Sequence, residues 1–383
     1  MLTDSGSRTN DGDEPDPDPP PEGAAHDLRG RHDLRDERAT RRGAPRTRRS
    51  PMSRVPLTLA CWDYDRTRAL ADGTVRPDGV DLTYLSLPVE ETFFRMLRHR
   101  EFDAAEMSLG SYATAVAAAP DAGGLIAIPA FPSRSFRHHG IYVNGDSGIE
   151  NPSDLVGRTV GVPEYQLTAV VWIRGILADR HDVPVASVRY RTGGMHSPGR
   201  VEKQALDLPP EIDVAPIAPD RTLVDMLVTG EIDALYAPRT PRPVLEGRPE
   251  VRRLFADPRA VEEQYARDTG IFPIMHTVVL RRDVYEARPW LAGSLLSAFE
   301  QAKSLSMARM AETAANPYAV PWLYDEVERT RTLLGRDFWP YGLDANRRTL
   351  DVFLRYAYEQ GLTGRQLAPA ELFAPETHEA YVI

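Results

Sequence analysis

From Val55 onward the chain alternates apolar runs of strand length with amphipathic stretches of helix length, and this alternation constrains its fold more than any other feature. Residues 57–61 read as a strand and 79–87 (Gly-Val-Asp-Leu-Thr-Tyr-Leu-Ser-Leu) as a second. The polar stretch 63–72 between them predicts a loop and a short helix. Pro88 opens a helix with Phe93, Met96 and Leu97 as its apolar face. A short strand at 102–107, a small-residue helix at 109–119 and an apolar strand at 125–131 follow. The order β-α-β-α-β argues for a sheet with parallel strands covered by helices.

A second unit repeats the scheme. Strands are expected at 139–144, 158–162, 188–191 and 231–237. Helices are expected at 151–155, from Gln166 or Leu167 to Asp179, and at 221–229. A strand at 275–281 and a helix from Pro289-Trp290 to Met310 come next. From Pro317 the pattern is mostly helical, most clearly at 350–360. Two strands, 139–144 and 275–281, stand where the chain would cross between units. The expected architecture is α/β and two-lobed, with lobe I at 53–137 and 277–383 and lobe II at 138–276. A ligand would lie in the cleft between lobes, where hinge closure can trap it.

Residues 1–52 are a different material, with an acidic proline-rich run at 11–21 and nine arginines between Arg29 and Arg49. Such a leader cannot bury enough apolar area to offset its ordering entropy and is expected to be disordered. It lacks the apolar h-region of a secretory signal, and its acidic residues argue against a transit peptide. Translation from Met52 is an equally simple account of it. The body is expected to be cytoplasmic, and no apolar stretch approaches the roughly 20 residues of a membrane helix.

The net charge of -10 argues against a nucleic-acid partner. The single cysteine, Cys61, excludes an internal disulfide and a cysteine zinc cage. Only two of the 46 basic residues are lysines, Lys203 and Lys303, a bias that reads as genomic and says nothing of function. No Gly-x-Gly-x-x-Gly follows a strand, and neither a phosphate-cradling loop nor a Gly-x-Ser-x-Gly elbow is present.

Gly230-Glu231-Ile232-Asp233-Ala234 and the run 151–162 (Asn-Pro-Ser-Asp-Leu-Val-Gly-Arg-Thr-Val-Gly-Val) resemble segments of the type 2 periplasmic-binding-protein fold. More specific runs resemble the 4,5-dihydroxyphthalate decarboxylase family, which uses that scaffold. They are Trp62-Asp63-Tyr64-Asp65-Arg66-Thr67, Phe102-Asp103-Ala104-Ala105-Glu106-Met107-Ser108 and the run 131–138. Further on come the run 161–169, Gly193-Gly194-Met195-His196 and Phe272-Pro273-Ile274-Met275-His276. The resemblance covers about residues 55–383. It implies a carboxy-lyase that takes a small aromatic dicarboxylate, releases carbon dioxide and leaves 3,4-dihydroxybenzoate. Protonation of the ring carbon bearing the carboxylate needs no organic cofactor.

Such a site must bind a dianion, polarise a phenol and protonate a ring carbon. Anion binding points to Arg66, Arg134 and Arg137, and to Tyr165, Gln166 and Thr168, where a long helix begins. Each arginine can equally be a solvated surface charge, and the 166–168 segment an ordinary cap. Proton transfer points to His276 and His138 at the crossovers, to His196 after the glycine pair, and to Glu106, a carbon acid if burial raises its pKa. Asp63 and Asp65 could accept phenolic protons or cap the next helix; Trp62 could cover the ring. His138, His139, His196, His276, Glu106 and Glu164 would suit a divalent ion, but no His-x-x-x-His spacing supports one, so no metal is assigned. The competing reading is a solute-binding protein for an organic anion, without chemistry. Homo-oligomerisation is not readable.

Overall fold

The computed structural model describes residues 54–119, 121 and 123–379; the expected disordered leader at 1–52 lies outside the described residues. The chain runs β1 (Val55–Cys61), α1 (Arg68–Ala71), β2 (Val80–Ser86), α2 (Val89–His99), β3 (Ala104–Ser108), α3 (Leu109–Ala118) and β4 (Leu125–Arg134). It continues through β5 (Ile141–Asn144), β6 (Thr159–Val162), α4 (Thr168–His181), β7 (Arg189–Thr192), β8 (Val214–Pro216), α5 (Leu223–Val228), β9 (Ala234–Tyr236), α6 (Arg242–Leu245), β10 (Val251–Arg253) and α7 (Pro258–Thr269). It ends with β11 (Ile274–Arg281), α8 (Arg282–Ala287), α9 (Trp290–Met310), α10 (Leu323–Leu334) and α11 (Arg347–Glu359).

Two sheets result, ordered β2-β1-β3-β11-β4 and β10-β5-β9-β6-β7-β8. This is the two-sheet α/β arrangement expected of a type 2 binding-protein-like fold. Both sheets are mixed, which corrects the expectation of parallel strands. Strands β1, β2 and β3 are parallel, but β11 returns from the far end of the chain and lies antiparallel between β3 and β4. In the second sheet β5 is antiparallel to both β9 and β10.

The insertion of β11 explains why β3 is built as it is. All five β3 residues are buried, as a central strand with both faces covered requires. Four are small or apolar; the fifth is Glu106. In the register, Val278 faces Glu106 and His276 faces Ser108. Glu106 and His276 are therefore diagonal neighbours on one face of the pair, within reach of long side chains.

Helix α2 carries Glu90 and Glu91 in its first turn, where negative charge complements the helix dipole, and buries Thr92, Phe93 and Met96. Helix α4 has ten consecutive buried residues, Thr168 to Leu177, because α11, α3 and β11 all pack on it. Trp172 packs on Phe353 and Tyr356 and donates its indole N–H to Ile274 O at 2.9 Å, tying α4 to β11. Arg174 is buried beneath Tyr165, its guanidinium 3.5 Å from the ring centroid, and bonds Gln360 Oε1 and Tyr165 O. Lys303 on α9 is buried but paired, with Glu300 at 2.7 Å and Asp337 at 3.2 Å.

Gly175 marks the closest helix approach. A β-carbon there would sit 2.2 Å from the Tyr356 ring, and that ring cannot swing away freely because its hydroxyl bonds Asp179 at 2.7 Å. Gly→Ala in a helix interior normally stabilises, by about 0.5–1 kcal/mol. Here overpacking, typically about 1–3 kcal/mol, outweighs that gain. Gly175→Ala is expected to lower the urea midpoint; a raised midpoint would show that α11 yields.

Candidate functional site

Glu106 organises the site. Its side chain is fully buried, and four donors fill its two oxygens. Oε1 accepts from the Tyr64 hydroxyl at 2.7 Å and faces His276 Nδ1 at 2.6 Å. Oε2 accepts from the Trp62 backbone N–H at 3.1 Å and the Cys61 thiol at 3.5 Å. Burial alone pushes the carboxyl up, but His276, Tyr64 and Trp62 outweigh burial and hold it below the ordinary glutamate range. The raised carbon acid entertained from sequence is therefore not what forms: Glu106 is a carboxylate with every acceptor position used. The Cys61 thiol beneath it is pushed up by burial and by Glu106, and the Tyr64 hydroxyl likewise.

With Nδ1 directed at Glu106, His276 turns its other ring nitrogen away from the carboxylate. The ring is held edge-on by Phe93 at 4.8 Å and forms part of the wall of a cavity of about 200 Å³. From α2 the cavity receives Val89, Glu90 and Phe93; from the start of α3, Ser108; from the start of α4, Leu167, Thr168 and Ala169. Thus three helix N-termini, those of α2, α3 and α4, open on it. Ser108 and Thr168 share a hydrogen bond at 2.9 Å, and Gly110 N–H donates to the Thr168 hydroxyl at 2.9 Å. Gly110 is needed there, since a β-carbon would lie 2.5 Å from Gln166 O.

Four cations line the same cavity: Arg137, Arg200, Lys203 and Arg239. Glu164 holds two of them, with Arg200 Nη2 at 2.6 Å and Lys203 Nζ at 2.5 Å. Arg239 reaches across to a carboxylate oxygen of Glu90 at 2.9 Å. Arg137 differs from these. It is 8% exposed, burial pushes its pKa down to about 10, and among the described residues no carboxylate lies within ion-pair distance. Its Nε donates only to Met275 Sδ, at 3.0 Å.

The other expected site residues divide clearly. Thr168 joins His276 and Arg137 at the cavity. Tyr165 and Gln166 support it from behind: Tyr165 donates to Gln360 O at 3.0 Å, and Gln166 Nε2 donates to Glu202 at 3.0 Å. Arg66 is sandwiched between Tyr64 and Trp339, 4.2 and 4.1 Å from the ring centroids, and bonds Pro132 O. Arg134 bonds Phe272 O, Pro340 O and Asn346, and burial pushes it down to about 9. Asp63 pairs with Arg68 in solvent, and the Trp62 side chain is exposed. His196 is exposed. His138 lies against Phe255 and Tyr265 and lines a separate cavity with His181. Asp65 is tied to Arg66 at 2.8 Å and to Ser306 at 2.6 Å.

Arg200, Lys203, Arg239, Glu90 and Ser108 were not singled out from sequence. Nothing local distinguishes Arg200 or Arg239 from the other arginines; only the fold brings them to one cavity. Among the described residues no group of three or more His, Cys, Asp or Glu side chains is placed to hold a metal ion, and no helix is long and apolar enough to cross a membrane.

His138 carries a pH signature. Burial lowers its pKa from 6.5 to about 4, with Glu262 opposing and His181 and His139 assisting, while Tyr265 packs on its ring. The unfolded chain binds this proton more readily. The stability tied to the neutral ring is complete above pH 6.5 and is lost as pH falls towards 4, by up to about 3 kcal/mol. His138→Phe is expected to flatten the dependence of the urea midpoint between pH 6.5 and 4. An unchanged slope would assign the acid loss to other groups.

No family model matches the chain. It is 41% identical over 332 residues to a 4,5-dihydroxyphthalate decarboxylase of Comamonas testosteroni, across 87% of this chain and 100% of that protein. It is 42% identical over 216 residues to one of Pseudomonas putida, across 56% of this chain and 83% of that protein. Among solved structures, the periplasmic sulfonate-binding protein SsuA of Methylobacillus flagellatus KT aligns at TM-score 0.49 and 13% identity, over 85% of this chain and 93% of that one. The desulfurization enzyme DSZB aligns at 0.42 and 16%, over 85% and 98%. The identity to the Comamonas protein over its whole length settles the family: the chain belongs to the 4,5-dihydroxyphthalate decarboxylases.

Proposed function

We propose that the chain removes one carboxyl group from 4,5-dihydroxyphthalate, giving 3,4-dihydroxybenzoate and carbon dioxide, in the cavity walled by His276. The observation that carries this reading is the nearly buried, carboxylate-free guanidinium of Arg137 on the same small cavity as a carboxylate-backed imidazole. A buried cation without a counter-charge is costly unless an anion completes it. Arg137 and the N-terminus of α4 suit one substrate carboxylate; Arg200 and Lys203 suit the other. A protein that only binds anions has no need of an imidazole backed by a buried carboxylate.

His276 is the proton donor in this reading. Glu106 accepts from Nδ1–H, which fixes the ring and leaves Nε2–H to deliver a proton to the ring carbon bearing the departing carboxylate. Glu106 stabilises the positive charge the imidazole carries before transfer. Each carboxylate of the substrate stands para to a hydroxyl, so the protonated ring is a dienone that regains aromaticity when carbon dioxide leaves.

The direct test is to mix the purified chain with 4,5-dihydroxyphthalate and follow 3,4-dihydroxybenzoate by chromatography. Absence of product together with a thermal shift would replace the enzyme by a binding protein. His276→Gln is expected to cut kcat by about a hundredfold or more with little change in KM. Arg137→Gln is expected chiefly to raise KM, by about tenfold to a hundredfold, the worth of a charged hydrogen bond. An Arg137→Gln enzyme with wild-type KM would move the carboxylate site elsewhere.

A further inference from the structure

Ring protonation at a carbon para to a hydroxyl needs a partner step: some group must take that hydroxyl's proton, so that the oxygen can feed electron density into the ring. Glu106 is unable to do so, because four donors occupy it. Glu164 does not line the cavity, and two cations, Arg200 and Lys203, hold it. Among the described residues lining the cavity, Glu90 is the one carboxylate.

Its position suits the task. Glu90 lies in the first turn of α2, and Phe93, one turn further on, is the ring in edge contact with His276. Residues three apart on a helix have β-carbons about 5–6 Å apart on one face. The Glu90 carboxylate and the His276 imidazole line one cavity from separate elements, α2 and β11. A substrate ring bound between them would present one carbon to the imidazole and the para oxygen to the carboxylate. Arg239 fixes the carboxylate at 2.9 Å, and the side chain keeps one-third of its surface exposed (34%).

We propose that Glu90 is a second catalytic residue, the base that takes the para-hydroxyl proton. The proposal rests on the decarboxylase reading. Glu90 removes the O–H proton, and the oxygen's electron pair moves into the ring. The carbon bearing the carboxylate takes the proton from Nε2 of His276, and a C–H bond forms. The bond to the carboxylate then breaks, and its electron pair restores the aromatic ring. The oxygen recovers its pair and takes the proton back from Glu90. One proton is consumed, delivered through His276, and no oxidant or reductant takes part.

The other role open to Glu90 is purely mechanical, as a latch with Arg239 between the two sheets. Steady-state kinetics with 4,5-dihydroxyphthalate separate the two. Glu90→Gln is expected to lower kcat by about a hundredfold with KM within a few-fold of wild type, Glu90→Asp to recover part of that loss, and Arg239→Gln to fall mainly in KM. Glu90→Gln with wild-type kcat overturns the proposal, as does a loss confined to KM and matched by Arg239→Gln. Wild-type protein that forms no product overturns the decarboxylase reading and this inference together. Wild-type turnover with a fully active Glu90→Gln overturns the inference alone.

Discussion

A fully buried carboxylate with four hydrogen-bond donors is the contact on which the rest of the site depends. Burying a charge is expensive unless its oxygens are satisfied, and Glu106 is satisfied only because two distant parts of the chain, residues 61–64 and β11, converge on it. The end of β1 supplies Cys61 and the Trp62 amide, the following turn supplies Tyr64, and β11 supplies His276. Removing any of the four leaves a lone pair unmet in a dry interior. The antiparallel return of β11 beside β3 is therefore a chemical requirement as well as a topological one, since it brings His276 diagonally onto Glu106.

The cationic side of the cavity follows another logic. Glu164 gathers Arg200 and Lys203 onto the turn that begins α4, so two side-chain charges and a helix N-terminus are anchored within a few residues. Gln166, Glu202 and Gln204 brace that turn, with Gln204 also reaching Ser111 O at 2.8 Å. Arg137 arrives separately, from the connection between the two sheets, and is left without a carboxylate. The cavity it lines also receives Ser108 and His276 from the first sheet and Thr168 from the start of α4.

Much of the scaffold was legible in the sequence. Apolar periodicity located β1 to β4, α2 to α4, β11 and α9, because each carries enough consecutive residues to show a pattern. It failed on β8 and β10, three residues each at the sheet edges, and on α7, whose largely polar sequence buries only Tyr265 and Ala266. It also missed strand direction, which depends on where β11 inserts rather than on anything β11 contains. At the site, His276 and Glu106 stood out because a histidine at a crossover and a glutamate in an apolar strand are locally odd. Arg66 and Arg134 drew attention in the same way, yet they bond backbone carbonyls and aromatic faces beneath the first sheet. Arg200 and Arg239 sit in unremarkable polar loops, and only tertiary structure gives them a role.

The burial of Cys61 has a consequence for the life of such a protein among its own products. Catechols autoxidise to ortho-quinones, which alkylate thiolates and unprotonated amines. The chain's single thiol is fully buried and held in its protonated form under Glu106. Its two lysines are each 8% exposed or less at the side chain, and both are tied into ion pairs. The body presents arginine almost everywhere that another protein would present lysine. It therefore offers electrophiles neither a ready sulfhydryl nor a ready ε-amino group.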